Sequence, residues 1–280
     1  MGRIASEILA RGDGWEAADV VCTAGPRDRP YEELHSGWSI AVVIRGSFKY
    51  HSSRGDALMS PGSLLLGNCG EYFECSHEHA SGDRCVSFRY TPEFFHQFGA
   101  PAFRLPRIPA LRQFAPWVAM AQLAVQAPAK VSFDELACGL AGEVGAALDH
   151  GGRGAGAPGP ADERRISSTL RFIESHFSES LRLRQLASAA GMSPFHYLRA
   201  FRRVTGLTPH QYLLRTRLRD AAIRLATQPD KVLEVALASG FDDLSNFNHA
   251  FRAEFGVSPR GYRRATAERS ATFCPCPLFS

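Results

Sequence analysis

Two sets of side chains in this 280-residue chain have the types and spacing to do chemistry. The first lies towards the carboxyl end: Phe195, His196, Leu198, Arg199, Arg202 and Arg203, then Ser245, Asn246, Asn248, His249 and Arg252. Spacings of three and four put most members of each group on one side of a helix. Guanidinium, amide and imidazole groups displayed together can meet base edges in a DNA groove and the phosphates beside it. A plain helical bundle with solvated arginines would carry similar charge, so the elements underneath must decide. The second set is Cys69, Cys75, His77, His79 and Cys85, five soft or borderline donors within 17 residues. Such donors suit zinc-class ions, and thiols also suit oxidants. Strand alternation would place Cys75, His77 and His79 on one face. Against a metal centre, Pro61 to Asn68 supplies no second histidine. A loop of solvated histidines, with the cysteines as ordinary core, is the competing reading.

The elements that must position the first set are written twice. Leu186-Ala187-Ser188-Ala189-Ala190-Gly191-Met192-Ser193 leads through Pro194 to Gly206 and Leu207-Thr208-Pro209. Val235-Ala236-Leu237-Ala238-Ser239-Gly240-Phe241-Asp242 leads through Asp243 to Gly256 and Val257-Ser258-Pro259. Gly191 and Gly240 are offset by 49 residues, and Phe201 and Phe251 by 50, so one extra residue follows the second turn glycine. Each copy predicts a short Ala-rich helix, a glycine turn and a second helix capped by Ser193 or Asp243. Tyr197, Ala200, Phe201 and Val204 would face a core in the first copy. Phe247, Ala250 and Phe251 would do so in the second, leaving the polar set outside.

At these residues a family becomes recognisable. Gly240-Phe241-Asp242, Phe247, Phe251-Arg252, Phe255-Gly256, Ser258-Pro259 and Tyr262-Arg263 carry it. From about Asp162 to Arg264 the chain resembles the DNA-binding domain of AraC/XylS-type transcription regulators. That resemblance implies two helix-turn-helix units joined by a long helix, here Pro209 to Gln228, entering successive major grooves of double-stranded DNA. Where the family often carries arginine, this chain has His249, which offers one donor in place of a fork.

The amino-terminal part is of another kind. Ile40 to Ile44, Phe48 to His51, Ala57 to Met59, Ser63 to Leu66, Glu71 to Cys75 and Arg84 to Tyr90 predict short strands separated by turns. From about Trp38 to Tyr90 this looks like the cupin-type sensor domain often attached to such regulators, which implies a small-molecule effector. Phe114 to Val125 and Phe133 to Leu148 predict two amphipathic helices. In the resembled family such helices pair two subunits, implying a homodimer; covering the open side of a barrel is the alternative. Gly151 to Pro160 is too rich in Gly and Pro to pack and predicts a linker.

The expected fold class is therefore α+β: a cupin-like β-barrel with a helical hairpin, then an all-α domain of two helix-turn-helix units. Expected boundaries are 1–108 for the β domain and 109–150 for the helical segment. A linker at 151–161, a DNA-binding domain at 162–268 and a tail at 269–280 follow. Charge divides along the same line. Residues 162–280 hold 18 Lys/Arg against 11 Asp/Glu, and residues 1–161 hold 14 against 17, within an overall +4. The basic half coincides with the duplicated motif, the electrostatic footprint expected for a polyanion partner. Seven cysteines, no basic-then-apolar leader and no apolar run of membrane length predict reduced thiols in a cytoplasmic protein without membrane contact. No Ser/His/Asp order, phosphate loop or HExxH motif stands out, so neither an enzyme nor a cofactor is expected. A transcription regulator also implies RNA polymerase as a partner. The readings from other classes are a cupin metalloenzyme with an accessory nucleic-acid module, and a ligand-free dimerisation module.

Overall fold

The computed structural model describes residues 4–30, 32–77, 82–97, 102–149 and 159–269. Among the described residues there are ten strands: β1 (Ile4–Gly12), β2 (Trp15–Cys22), β3 (Glu32–Leu34), β4 (Trp38–Arg45) and β5 (Phe48–Ser52), then β6 (Gly55–Met59), β7 (Leu64–Gly67), β8 (Tyr72–Ser76), β9 (Asp83–Tyr90) and β10 (Arg107–Ile108). They form a six-stranded sheet in the order β1-β2-β9-β4-β7-β10 and a four-stranded sheet in the order β3-β8-β5-β6. Strand β4 shows why its sequence is an unbroken apolar run. Ala41 and Val43 face the smaller sheet with Phe48, Tyr50, Met59 and Leu65. Ile40 and Val42 face the opposite way, against Leu64, Leu66, Val86 and Phe88. A strand buried on both faces has no polar alternation to show.

A short helix, α1 (Pro92–His96), lies between β9 and β10, and the hairpin of α2 (Ala115–Gln126) and α3 (Phe133–Asp149) follows β10. Val118, Ala121, Leu136, Leu140 and Val144 close the outer face of the larger sheet. The apolar sides of the hairpin, expected to pair two subunits, are thus buried within their own chain.

Between the two sheets, His35 is sandwiched and neutral. Its Nε2 lies 2.8 Å from the Tyr50 hydroxyl, and its ring stacks on Phe73 at 4.0 Å. Burial pulls its pKa down to about 4; Glu71 opposes this and Arg89 adds to it. Between the ordinary histidine value near 6.5 and about 4, the unfolded chain binds a proton that the folded chain refuses. Stability is therefore complete above that window and falls as pH drops through it, by roughly 3 kcal/mol. Denaturant unfolding at pH 7 and pH 4.5 should show a smaller acid-induced loss in His35→Gln than in wild type. Equal losses would contradict the assignment.

The remaining helices are α4 (Pro160–His176), α5 (Leu183–Ala189), α6 (Pro194–Thr205), α7 (Pro209–Thr227), α8 (Val232–Ala238), α9 (Leu244–Phe255) and α10 (Pro259–Arg269). Pro160 and Ala161, read from sequence with the linker, begin α4; positions 151–158 and the tail from 270 lie outside the described residues. Two cores share α7. Tyr212 and Leu213 enter the first with Ile166, Leu170, Leu186, Tyr197 and Phe201. Leu218, Ala221, Ala222 and Leu225 enter the second with Val235, Phe241, Phe247 and Phe251.

The amino-terminal half completes both cores. Leu58 and Ala110 pack into the first, Ala115 and Ala119 of α2 into the second. Cations, Arg219 buried and the others half-buried, cross the same boundary to backbone carbonyls. Arg107 Nη1 donates to Leu58 O at 2.6 Å and Val204 O at 2.8 Å. Arg219 Nη1 donates to Pro61 O at 3.2 Å while its Nη2 meets Glu174 Oε1 at 3.2 Å. Arg215 donates to Ala110 O, and Lys130 Nζ donates to Ala226 O at 2.6 Å. Burial lowers the Arg107 pKa to about 10, so it stays charged at neutral pH. Among the described residues no helix is long and apolar enough to cross a membrane.

Candidate nucleic-acid interface

Each duplicated unit builds its second helix by the same local chemistry. Gly191 sits at φ 62° and Gly240 at φ 85°, left-handed conformations that side chains with a Cβ adopt at a cost. A Cβ on Gly240 would also lie 2.8 Å from Ser178 Cα. Ser193 Oγ then accepts from His196 N at 3.3 Å, and Asp243 accepts from Ser245 N at 3.1 Å and Asn246 N at 2.8 Å. These bonds satisfy amides that a helix start leaves open and fix where α6 and α9 begin.

On α6, Tyr197, Ala200, Phe201 and Val204 are buried, while Phe195, His196, Arg199, Arg202 and Arg203 are exposed. Leu198, expected on the outward face, is half-buried. Phe195 is 71% exposed, far more than an aromatic ring needs for packing, and the Arg199 guanidinium lies over it at 5.8 Å. His196 Nε2 is drawn to Asp162 Oδ1 at 3.4 Å, towards α4. On α9, Phe247, Phe251 and Phe255 are buried and Ser245, Asn246, Asn248, His249 and Arg252 are exposed. Arg199, Arg202, Arg203 and Arg252 form no ion pair among the described residues, so their donors face water. Arg202 and Arg203 also occupy the last turn of α6, where cations suit the helix dipole.

The soft-donor set is arranged differently from the one-strand expectation. Cys69 is exposed in a turn, and His79 lies outside the described residues. Cys75 on β8 and Cys85 on β9 line a cavity of about 250 Å³ between the sheets, together with His35, Cys22, His77 and Asp83. Burial, then the nearby Asp83, holds both thiols well above the usual range. A raised thiol pKa favours the protonated, less nucleophilic form of Cys75 and Cys85. His77 instead meets Asp83 Oδ1 at 2.9 Å. Burial alone would lower the His77 pKa, but hydrogen bonds to Asp83 and Cys22 push it up to about 9. Cys22 escaped the sequence reading because it comes from β2, far from the other donors in the chain, and Asp83 because only thiols and imidazoles were counted in that stretch. Only the β2–β9 register, which pairs Cys22 with Asp83, brings the cysteine there.

The family model and the curated relatives match the helical half. A family model described as a helix-turn-helix domain matches residues 186–265. The transposon Tn10 TetD protein of Escherichia coli is 36% identical over 99 residues, 35% of this chain and 72% of that protein. The HTH-type transcriptional activator RhaS of Escherichia fergusonii is 35% identical over 102 residues, but the match spans only 37% of its length. Among solved structures, the DNA-binding domain of AdpA in complex with a target DNA is 31% identical. That match covers 39% of this chain and 98% of the AdpA chain, with a TM-score of 0.37. The shared stretch contains both turn glycines, both capped helices and the helix between them, and by that likeness the chain belongs to the AraC/XylS family of DNA-binding transcription regulators.

Proposed function

We propose that this regulator reads DNA through α6 and α9, each as the second helix of a helix-turn-helix unit, with α7 setting their separation. The observation that carries the reading is that two helices, capped alike on cores joined by α7, both turn Arg and His outward, with Asn246 and Asn248 beside them on α9. At about 1.5 Å per residue, the 19-residue α7 is roughly 28 Å long, of the order of the ~34 Å between successive major grooves. Arg199, in the middle of α6, supplies a fork that can meet guanine O6 and N7 together. Arg252, nearer the end of α9, supplies a phosphate contact that fixes register.

The two roles separate under mutation. Arg199→Ala should relax preference at one or two base pairs by about 1–3 kcal/mol, whereas Arg252→Ala should weaken all sequences alike. His249→Ala should do less than Arg199→Ala, since imidazole presents a single donor. Competition binding of each full-length variant against a panel of single-base-pair changes measures this. Unchanged site preference in Arg199→Ala would overturn its assignment.

The amino-terminal sheets fit the second half of the same proposal, a cupin-like effector domain. The cavity of about 250 Å³ has room for a small molecule and offers Ser39, Ser87, Arg89 and His35 as polar contacts within apolar walls. Occupancy there could reach DNA through β10 and the turns around Pro61 and Ala110, whose carbonyls hold the arginines of α7. An α7 pinned at both cores would pass a shift in those turns to the helices it separates.

A further inference from the structure

One end of the inter-sheet cavity gathers three ligand-type side chains from three separate places. Cys22 ends β2, His77 follows β8 and Asp83 begins β9. Cys22 Sγ, a His77 ring nitrogen and an Asp83 carboxylate oxygen all lie within 4.8 Å of one another, and Cys22 and His77 are buried. Ligands on a tetrahedral zinc ion stand about 3.3–3.8 Å apart, given Zn–S near 2.3 Å and Zn–N or Zn–O near 2.0–2.2 Å. The side chains therefore need to move by only a few tenths of an ångström to a little over one.

We propose that Cys22, His77 and Asp83 bind a zinc-class divalent cation that fastens the two sheets together at this end of the cavity.

Four features of the geometry support the site. The His77–Asp83 pair at 2.9 Å already holds a ring nitrogen and a carboxylate oxygen side by side, and a cation entering between them would replace the proton they share. Ala24 N donates to Cys22 Sγ at 3.4 Å, the backbone contact that a coordinated thiolate accepts. One thiolate, one carboxylate and one neutral imidazole cancel the charge of a divalent ion, which suits a buried position. Cys85 Sγ, 3.8 Å from Asp83 Oδ2, adds a further thiol beside the three. On binding, the Cys22 thiol proton and the proton between His77 and Asp83 leave to solvent, and no electron changes hands. The three ligands come from both sheets, since β2 and β9 belong to the larger and β8 to the smaller. The ion would thus cross-link layers otherwise joined by apolar packing.

The test uses the full chain and zinc alone. After dialysis against excess zinc and then metal-free buffer, wild type should retain about one zinc per chain by elemental analysis. Cobalt substitution should give the thiolate charge-transfer band of a tetrahedral site. Cys22→Ser and His77→Gln should each weaken zinc at least ~100-fold in a chelator competition, while Cys69→Ser, at an exposed turn, should bind as wild type does. Folding failure in a variant is bypassed by two wild-type readouts. Zinc should raise the melting temperature in a dose-dependent way and should shield Cys22 from alkylation, mapped by mass spectrometry. Wild type retaining less than a tenth of an equivalent overturns the proposal and leaves His77–Asp83 as a structural hydrogen bond. So do a cobalt spectrum without the thiolate band and zinc binding unchanged in both variants. DNA binding by wild type is scored separately, so loss of one reading leaves the other standing.

Discussion

Replacing Phe251 by alanine should destabilise the protein by about 3–5 kcal/mol, the range for removing a buried aromatic side chain and leaving a cavity. Phe251 is fully buried at the centre of the second helical core. Its ring lies 5.5 Å from Phe247, 4.5 Å from Phe255 and 5.5 Å from Tyr262, so no neighbour can be lost without loosening the others. The same core holds Ala115 and Ala119 of α2, so its collapse also undoes a contact with the amino-terminal half. A domain stable by only about 5–15 kcal/mol cannot absorb that loss quietly. Ala253→Ser, two positions along on the exposed side of α9, should stay within about 0.5 kcal/mol of wild type. Urea unfolding of both variants decides the matter. A loss below about 1 kcal/mol for Phe251→Ala would mean that α9 is not anchored as described.

Legibility in the sequence followed the locality of the cause. The helical half was readable because each determinant sits within a few residues of its effect. Turn glycines at positive φ, the caps Ser193 and Asp243, and aromatics at helical spacing all act within one or two turns. Duplication then doubled the signal. Six of the strands were readable for the same reason, being short apolar runs between turn residues. Strands β1 and β2 were not. The stretch Trp15-Glu16-Ala17-Ala18-Asp19-Val20-Val21-Cys22 mixes weak strand formers with acids, and pairing with β1 and β9 overrides that propensity. Asp19 is tolerated there because Arg84, across on β9, meets it with Nε at 2.9 Å. The contacts between the halves were equally hidden. Arg107, Arg215 and Arg219 look like solvated basic residues in sequence, and only the assembled fold shows them donating to distant carbonyls. Of the soft-donor set, chain proximity drew attention to His77 but could not reach Cys22, on a strand some fifty residues earlier. Metal-type clusters form through register, which composition does not record.

Affinity for DNA should depend steeply on salt, because exposed arginines on α6 and α9 would displace counterions from phosphates. Six to ten such contacts weaken binding by about 10³–10⁵-fold between 50 and 200 mM salt. Sequence preference should sit on top of that term, contributed by base-facing groups such as Arg199, at about 1–3 kcal/mol for each good bidentate pair. Two helices on successive major grooves place the preferred bases in two patches about 10–10.5 base pairs apart. The measurement that tests this most directly is selection of randomised duplexes by the full chain at 50 and 200 mM salt, with sequencing of the bound fraction. Two enriched patches at that spacing, with binding that collapses at the higher salt, is the predicted result. A bound fraction with no sequence enrichment, or one whose binding is indifferent to salt, would contradict it.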